Sequence, residues 1–408
     1  MERLLAHARR MPAQTCQLHD AKGRVLAEAV RSPIALPSFD HSAMDGYALD
    51  AAKGLAEGSE HRVAGSQAAG DSQVASYGRA WEIMTGARLP QGLDAVIAVE
   101  RTQILDRSAT GAPGRIRLLD ALSPGRNVRY AGSDIALGAA VLPAGTSLSA
   151  SHMMLLAALG MAQLRVARAP CVAIICTGKE LQADLAAPLR ADRIFNSNGP
   201  YLSVALAACG ARVLWCETVD DTSLTYEAAV RRAIEQGADL VVSTGAVSMG
   251  RYDFVPDALL RLGADLLFHK VAIRPGKPQL AAVLPGGPVI MALPGTPMAV
   301  AVGMRFFIAP LLRAMLGQAC EPSHHAVLEA PCSSQVGLHH FLHGTVSEDA
   351  RGQRSVHAST QQQPFRIHPF AQAQAWVILP AHVDQIDAGQ VVQVASLHAS
   401  VGDAWGDA

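Results

Sequence analysis

The chain has 408 residues, of which 50% are hydrophobic, with a mean hydropathy of +0.19 and a formal net charge of −1. Without a basic excess, and with only 5% aromatic residues, the composition argues against nucleic acid or a membrane surface as a partner. The seven cysteines are scattered without a CxxC pair, and the N-terminus lacks the apolar core of a signal peptide. We therefore expect a soluble cytoplasmic protein.

The N-terminal third predicts two kinds of structure. Residues 1–30 contain a helix-like segment and residues 135–168 a β-turn followed by a helix, so we assign both to one connecting α+β domain. Residues 31–134 are rich in Gly, Pro and short alternating runs, which predicts a β-rich insertion domain between them.

Residues 169–318 alternate short apolar runs with segments of helical periodicity. The predicted strands are CVAIIC (171–176), RVLWCE (212–217), DLVVS (239–243), DLLFHKVAI (265–273), QLAAVL (279–284) and VIMALP (289–294). The predicted helices cover 198–209, 222–236, 254–263 and 296–316, and the last contains two arginines, too polar for a membrane span. This order predicts a doubly wound, mostly parallel sheet that binds ligands beyond the carboxyl ends of its strands.

Residues 319–408 predict a third kind of structure, because short strands there are broken by turns. A small β-barrel or a sandwich fits this pattern, and we assign it as a C-terminal β-barrel domain. The segment HHFLH (339–343) suggests a metal site, but its histidines do not share one helix face and no carboxylate is close. We favour surface histidines.

The loop TGAVSMGRYD (244–253) follows a predicted strand and precedes a predicted helix. Gly245 and Gly250 allow close approach to the backbone, Thr244 and Ser248 offer hydroxyls, and the helix start offers unpaired N–H groups. Together they predict a cradle for a phosphate or another oxyanion. The alternative is that the glycines end the strand and Asp253 caps the helix.

The segment KVAIRPGKP (270–278) carries the cations Lys270, Arg274 and Lys277. Lys270 and Arg274 have even spacing, so along an extended segment both would point to one side and, with Lys277, form a site for a dianion or polyphosphate. The alternative is a solvated basic edge.

Carboxylates on the neighbouring strand-end loops could hold a hard cation beside a phosphate. Glu180, Asp220 and Asp221 occupy these loops, and Mg²⁺ is the cation that such a set favours. For Asp221 the alternative is an N-cap of the 222–236 helix.

These segments together resemble the molybdopterin molybdenumtransferase family, the MoeA-type proteins that include the E domain of gephyrin. The resemblance covers about residues 20–316 and rests on the following segments, in order: AKGRVLAEAV, LPSFDHSAMDGYAL, IMTGARLPQGLDAVIAVE, PGRNVRYAGSDI, TGKEL, FNSNG, TGAVSMGRYDFV, KVAIRPGKP and ALPGTPMAV. SAMDGYA and PGKP in register make it specific.

The resemblance implies a reaction, an assembly and a site. Such proteins take adenylylated molybdopterin and molybdate, insert the metal and release AMP in the presence of Mg²⁺. They form homodimers of four-domain subunits, with possible partners among molybdopterin adenylyltransferases and molybdoenzymes. Their site lies between the α/β domain of one subunit and the insertion domain of the other.

The implied residues fall into three groups. The catalytic group is Asp45, Thr85, Glu180, Asp220, Asp253 and Lys270, with Asp45 and Thr85 contributed by the other subunit. The group that binds the pterin nucleotide is Thr244, Gly245, Ser248, Arg274, Lys277, Pro294 and Pro297. The metal group is Glu180, Asp220 and Asp253.

Some residues depart from the family pattern, which usually reads TGGVSVGDYD or TGGVSVGEAD in this loop. Ala246 replaces the second glycine, and Arg251 replaces an acidic residue. In the C-terminal domain, residues 337–343 and 363–370 lack the arginines and serines of that pattern. Two rival hypotheses therefore stay open: a non-catalytic paralogue that carries molybdopterin or docks a partner enzyme, and a nucleotide-directed α/β hydrolase.

Overall fold

The structure is a computed structural model that describes residues 1–248 and 253–401. The chain divides into two compact units. The first consists of Met1–Glu28, Ala144–Met153 and Gln163–Ala408, and the second of Ala29–Pro143 and Met154–Ala162. The finer division into four domains stays a prediction.

The second unit is built on a six-stranded sheet. Its strands are β1 (Gly46–Leu49), β2 (Glu60–Gln67), β3 (Ala80–Ile83), β4 (Ala95–Ala98), β5 (Thr102–Arg107) and β6 (Pro113–Leu118), in the spatial order β4-β1-β3-β2-β6-β5. Only β2 and β3 run parallel. Two short antiparallel pairs complete it: Val30–Arg31 with Ala140–Leu142, and His41–Ser42 with Val128–Arg129. The prediction of a β-rich insertion is confirmed.

The first unit contains the predicted α/β sheet. Its strands are β7 (Cys171–Thr177), β8 (Arg212–Val219), β9 (Leu240–Thr244), β10 (Asp265–His269), β11 (Leu280–Val283) and β12 (Val289–Leu293), in the order β8-β7-β9-β12-β11-β10. Strands β8, β7, β9 and β12 are parallel, and β11 is antiparallel to both of its neighbours. Every residue of β7 and β9 is buried, as expected for strands covered on both faces.

Helices cover both faces of this sheet. The helices of the chain are α1 (Glu2–Leu5), α2 (Ala150–Ala158), α3 (Asn198–Ala208), α4 (Ser223–Glu235), α5 (Val255–Arg261), α6 (Pro297–Gly303), α7 (Ala309–Leu316) and α8 (Ile367–Ala371). Leucines of α3 share one apolar core with α6 and α7, whereas α4 and α5 pack into the other. Two separate cores on opposite faces confirm the doubly wound arrangement.

A π-helical turn, Met304–Ile308, joins α6 and α7 into one continuous helix. By length and composition the stretch Pro297–Leu316 could cross a membrane, but 78% of its apolar window is buried inside the protein, as in a core helix. In the π turn Arg305, which is 4% exposed, pairs with Glu321 at 2.6 Å. Phe306 packs on Phe341 with ring centroids 4.2 Å apart.

The C-terminal part forms a closed five-stranded barrel, which resolves the choice between barrel and sandwich. Its strands are β13 (His324–Leu328), β14 (His339–Glu348), β15 (Arg354–Ala358), β16 (Ala375–Leu379) and β17 (Val391–Ser396). The ring runs β13-β15-β14-β16-β17 and returns to β13, and only β13 and β15 are parallel. Closure leaves no free edge among these strands.

Three further short pairs belong to this unit: Ala13–Gln17 with Gln163–Ala167, Leu181–Gln182 with Ile194–Phe195, and Cys332–Ser333 with Gln385–Ile386. A fourth short strand, Ile273–Arg274, runs parallel to the start of β14.

The expectation of surface histidines in HHFLH is wrong for two of the three. His339 is exposed, but His340 is 6% and His343 1% exposed. Strand β14 is paired on both sides, and His343 lies against the rings of Phe370 and Trp376. Burial lowers the pKa of both imidazoles, which keeps them neutral near pH 7.

Candidate functional site

The carboxyl ends of three parallel strands, β7, β9 and β12, are tied directly to one another. The hydroxyl of Thr177, which ends β7, donates to the carbonyl of Thr244 at 3.1 Å, and both threonines are buried. The N–H of Gly245 donates to the carbonyl of Leu293 at the end of β12, at 2.9 Å. These bonds place the three strand-end loops side by side, where ligands of such sheets bind.

Gly245 is required by geometry at this point. Its φ is +92°, and an added Cβ would lie 2.5 Å from Thr177 Oγ1 and 2.7 Å from the Thr177 carbonyl. The predicted close approach of backbone at this glycine is therefore present, and it is made to the neighbouring strand end.

Two further described residues of this loop, Ala246 and Val247, contact other segments. Ala246 has a φ of +50°, so alanine occupies the left-handed region that favours glycine. Its carbonyl accepts from the N–H of Val255 at 3.2 Å, and the carbonyl of Val247 lies 2.9 Å from Nε2 of His269. Ser248 is exposed. Gly250 and Arg251 lie outside the described residues.

Two asparagines join this site that the sequence analysis did not assign. Asn198, at the start of α3, donates through Nδ2 to the carbonyl of Gly295 at 2.8 Å. Asn196 accepts from the N–H of Gly199 at 3.0 Å and donates to Thr218 Oγ1 at 3.0 Å. The segment FNSNG, a polar run between a strand and a helix, was the available signal.

The loop after β12 completes the same edge of the sheet. Pro294 and Pro297 flank the exposed Gly295 and Thr296, and Pro297 is the first residue of α6. A Cβ added at Gly295 would lie 3.7 Å from the Cα of Gly245, so the two loops touch. The structure thus brings Pro294 and Pro297 beside Thr244 and Gly245.

The carboxylates lie on the expected loops, but two capping alternatives are wrong. Thr222, not Asp221, caps α4, because its side chain accepts from the N–H of Thr225 at 3.2 Å. Asp221 instead accepts from the N–H of Lys179 at 3.0 Å, since the β7 and β8 ends are adjacent. The N-cap of α5 is Phe254, so Asp253 does not cap it.

The three predicted metal ligands do not by themselves form a metal cage. Glu180 and Asp220 are exposed at the ends of adjacent strands, and Asp253 is partly buried before α5. Within residues 1–248 and 253–401, no group of three or more His, Cys, Asp or Glu side chains is close enough to hold a metal. Mg²⁺, however, commonly takes one or two carboxylates and completes its shell with phosphate oxygens and water. Exposed carboxylates at a strand end fit that arrangement.

The cations are exposed and lie on a folded turn. Strand β10 ends at His269, and Lys270 has a φ of +74°, so the expected extended segment from Lys270 to Arg274 is wrong. Instead, the N–H of Val271 donates to the carbonyl of Lys277 at 2.9 Å, which sets Lys270 and Lys277 on opposite arms of one turn. The contact between His269 and Val247 connects this turn to the 244–253 loop.

Arg274 faces a cleft that the sequence did not predict. In register it pairs with His340 of the barrel, and both line a space of 520 Å³ with Ser333, Ser334 and Gln335. His340 Nε2 accepts from the N–H of Gln335 at 3.2 Å. Besides burial, the charge of Arg274 lowers the pKa of His340. No local sequence pattern connects these residues, because Arg274 and His340 come from segments that are far apart in the chain.

In the other unit, Asp45 and Thr85 lie in direct contact. Asp45 Oδ1 accepts from the N–H of Thr85 at 2.7 Å and from its hydroxyl at 2.8 Å. These two bonds, the backbone one first, hold the pKa of Asp45 below its usual range. Asp45 is therefore an ionised carboxylate with a fixed orientation.

Three family models match the chain in succession. The MoeA N-terminal region (domain I and II) matches residues 1–160, a probable molybdopterin binding domain matches 173–314, and the MoeA C-terminal region (domain IV) matches 325–397.

Full-length relatives and solved structures agree with these matches. The chain is 34% identical to a molybdopterin molybdenumtransferase of Synechococcus elongatus, over 97% of this chain and 98% of that protein. It is 30% identical to one of Bacillus subtilis, over 95% and 90%. The crystal structure of a molybdopterin biosynthesis MoeA protein from Pyrococcus horikosii superposes with a TM-score of 0.82 at 26% identity, covering 98% of each chain.

Proposed function

Because the chain belongs to the molybdopterin molybdenumtransferase (MoeA) family, we propose that it is the enzyme that inserts molybdate into adenylylated molybdopterin and releases AMP. The observation that carries the proposal is identity of 34%, over 97% of the chain, to a molybdopterin molybdenumtransferase. The strand-end site supports it with chemistry suited to anions.

The anionic substrates would be held by two kinds of group. Lys270, Arg274 and Lys277 supply positive charge on one turn, and Arg274 offers the planar fork that matches two oxygens of an oxyanion. Gly245 and Ser248, with Pro294 and Pro297 beside them, would offer the surface on which the pterin nucleotide rests, and the buried Thr244 beneath it is bonded to Thr177. Such fixed donors stabilise charge that develops at a phosphoanhydride when AMP leaves.

We assign Glu180 and Asp220 as ligands of Mg²⁺, with Asp253 as a third candidate ligand. When bound, the ion would supply positive charge next to the phosphate oxygens. The two exposed carboxylates would leave most of its shell to water and substrate oxygens, as is usual for Mg²⁺.

The proposal includes a homodimer and a cytoplasmic location. Asp45 and Thr85 of the partner subunit would complete the site, and their hydrogen bonds to each other support a fixed, negatively charged contribution. The cysteines, which are all free among the described residues, are compatible with a reducing compartment.

Purified protein is incubated with adenylylated molybdopterin, molybdate and Mg²⁺, and AMP release and activation of a cofactor-free molybdoenzyme are measured. We expect both signals, and both should depend on molybdate. Lys270→Ala should reduce turnover by at least about 100-fold, the scale of losing one charge that stabilises a transition state, while Lys53→Ala, an exposed lysine of the other unit, should not. Tight binding without AMP would indicate a carrier, and AMP release insensitive to molybdate would indicate a hydrolase. Either result contradicts the proposal.

A further inference from the structure

Both backbone polar groups of Lys179, next to Glu180, are held by side chains. Its N–H donates to Asp221 Oδ2 at 3.0 Å, across the ends of strands β7 and β8. Its carbonyl accepts from the guanidinium of Arg193, which also donates to the carbonyl of Leu181 at 3.5 Å. A carboxylate therefore holds the peptide group that precedes the Lys179 Cα, and a guanidinium holds the peptide group that joins Lys179 to Glu180.

Arg193 belongs to a loop between Gln182 and Ile194, here called the excursion, that brings it to the Lys179 carbonyl. Gln182 Nε2 donates to the carbonyls of Asp184, Ala187 and Pro188 at 3.1, 3.1 and 3.2 Å, which folds the excursion back on itself. The N–H of Ile194 then donates to the carbonyl of Glu180 at 2.8 Å. The backbone on both sides of the Glu180 side chain is therefore fixed.

The Glu180 side chain is directed by the same loop. Its carboxylate lies over Gly178, where an added Cβ would be 2.8 Å from Oε1. Gly178 has a φ of +151° and begins a turn, which the N–H of Leu181 closes by donating to the Gly178 carbonyl at 3.0 Å. Because the peptide group that joins Lys179 to Glu180 directly precedes the Glu180 Cα, its orientation helps to set the direction of this exposed carboxylate.

We propose that Asp221 and Arg193 are positioning residues, together called the Lys179 clamp, that aim the Glu180 carboxylate at the Mg²⁺ of the active site. This inference rests on the proposed function for the identity of the ion. In this proposal Asp221 acts through its bond to the Lys179 N–H and Arg193 through its bond to the Lys179 carbonyl, so the role of both is to position Glu180.

The test uses the full-length protein and two measurements. Hydrogen exchange of the peptide that contains Lys179 reports the clamp directly and needs no activity. The Mg²⁺ concentration for half-maximal AMP release tests whether Glu180 is correctly oriented to bind the ion. The value of kcat at saturating Mg²⁺ tests whether the other active-site residues still function.

Asp221→Ala should speed exchange at Lys179 and raise the half-maximal Mg²⁺ concentration, each by about tenfold, the scale of losing one hydrogen bond to a charged group. Asp221→Asn keeps an accepting oxygen and should stay within about twofold of the wild type in both, by the same reasoning. Arg193→Ala should follow Asp221→Ala. Arg190→Ala is the matched control, because Arg190 lies on the same excursion and its side chain, 68% exposed, reaches only Asp192 at 3.6 Å.

Two results would overturn the proposal. One is faster exchange in Asp221→Ala with an unchanged Mg²⁺ requirement, which would make the clamp merely structural. The other is an Asp221→Asn variant as impaired in Mg²⁺ as Asp221→Ala, which would show that the charge acts and not the hydrogen bond. A wild-type protein without molybdate-dependent turnover would refute the proposed function instead, and a normal exchange rate in Asp221→Ala and Arg193→Ala would then refute the clamp separately.

Discussion

Replacing Gly245 by alanine tests whether the strand-end loops are as tightly joined as the structure shows them. The substitution adds a Cβ at a φ of +92°, 2.5 Å from the Thr177 hydroxyl and 2.7 Å from its carbonyl. Left-handed backbone costs a non-glycine residue about 1–2 kcal/mol, and overpacking against a fixed neighbour adds about 1–3 kcal/mol. We expect Gly245→Ala to lower the free energy of unfolding by the sum of these two effects, about 2–5 kcal/mol.

Gly263→Ala separates the two causes. Gly263 follows α5 in the same unit with a φ of +77°, and nothing lies within 4 Å of a Cβ added there. This variant should therefore lose only the conformational part, about 1 kcal/mol once the reduced entropy of the unfolded chain is subtracted. Urea unfolding followed by circular dichroism measures both. Equal losses in the two variants would refute the reasoning, because the contact with Thr177 would then contribute nothing.

Three other changes have defined outcomes. Ala246→Gly relieves a φ of +50° and should raise the free energy of unfolding by up to about 1 kcal/mol in the same urea experiment; a loss above that size would show that the methyl group matters more than the strain. Arg305→Met leaves Glu321 without its partner at 2.6 Å and should cost about 3 kcal/mol, with Arg305→Met/Glu321→Gln recovering part of it in thermal melts. Thr85→Val removes one of two bonds that depress the pKa of Asp45, so carboxyl NMR titration should show that pKa rising toward 3.8 without reaching it. A depressed carboxyl pKa stabilises the folded state at pH values above the unfolded pKa, and this stabilisation is lost as pH falls through the folded pKa. In Thr85→Val the stabilisation should be smaller, and its loss should be complete at a higher pH. An unchanged titration would place the Asp45 carboxylate away from Thr85.

The elements of the α/β sheet could be predicted because their causes are local. The strands β7 and β9 are uninterrupted apolar runs, and the segments between strands have helical periodicity. The residue pattern of each segment therefore predicts both its secondary structure and which of its residues are buried. The strand-end position of Thr244 and Gly245 follows from the same alternation. Candidate site residues that sit directly after a strand were therefore predicted in the right place.

Features that depend on contacts between distant segments could not be predicted. Lys270 and Arg274 looked extended in sequence, but pairing of Ile273–Arg274 with the barrel bends the chain between them. Likewise, whether His343 is exposed is decided by Trp376 and Phe370, which close over it. The choice between barrel and sandwich was open for the same reason, since closure depends on which strands meet last.

The sequence by itself determined that a doubly wound sheet exists, which loops leave its carboxyl ends and which charges those loops carry, because periodicity and loop composition are properties of neighbouring residues. Only the tertiary structure decided that Asn198 holds the loop of Gly295, that Asp221 holds Lys179 and not a helix end, and that Arg274 faces His340. Each of those bonds joins residues far apart in the chain, and their partners are chosen by packing, which no short stretch of sequence encodes.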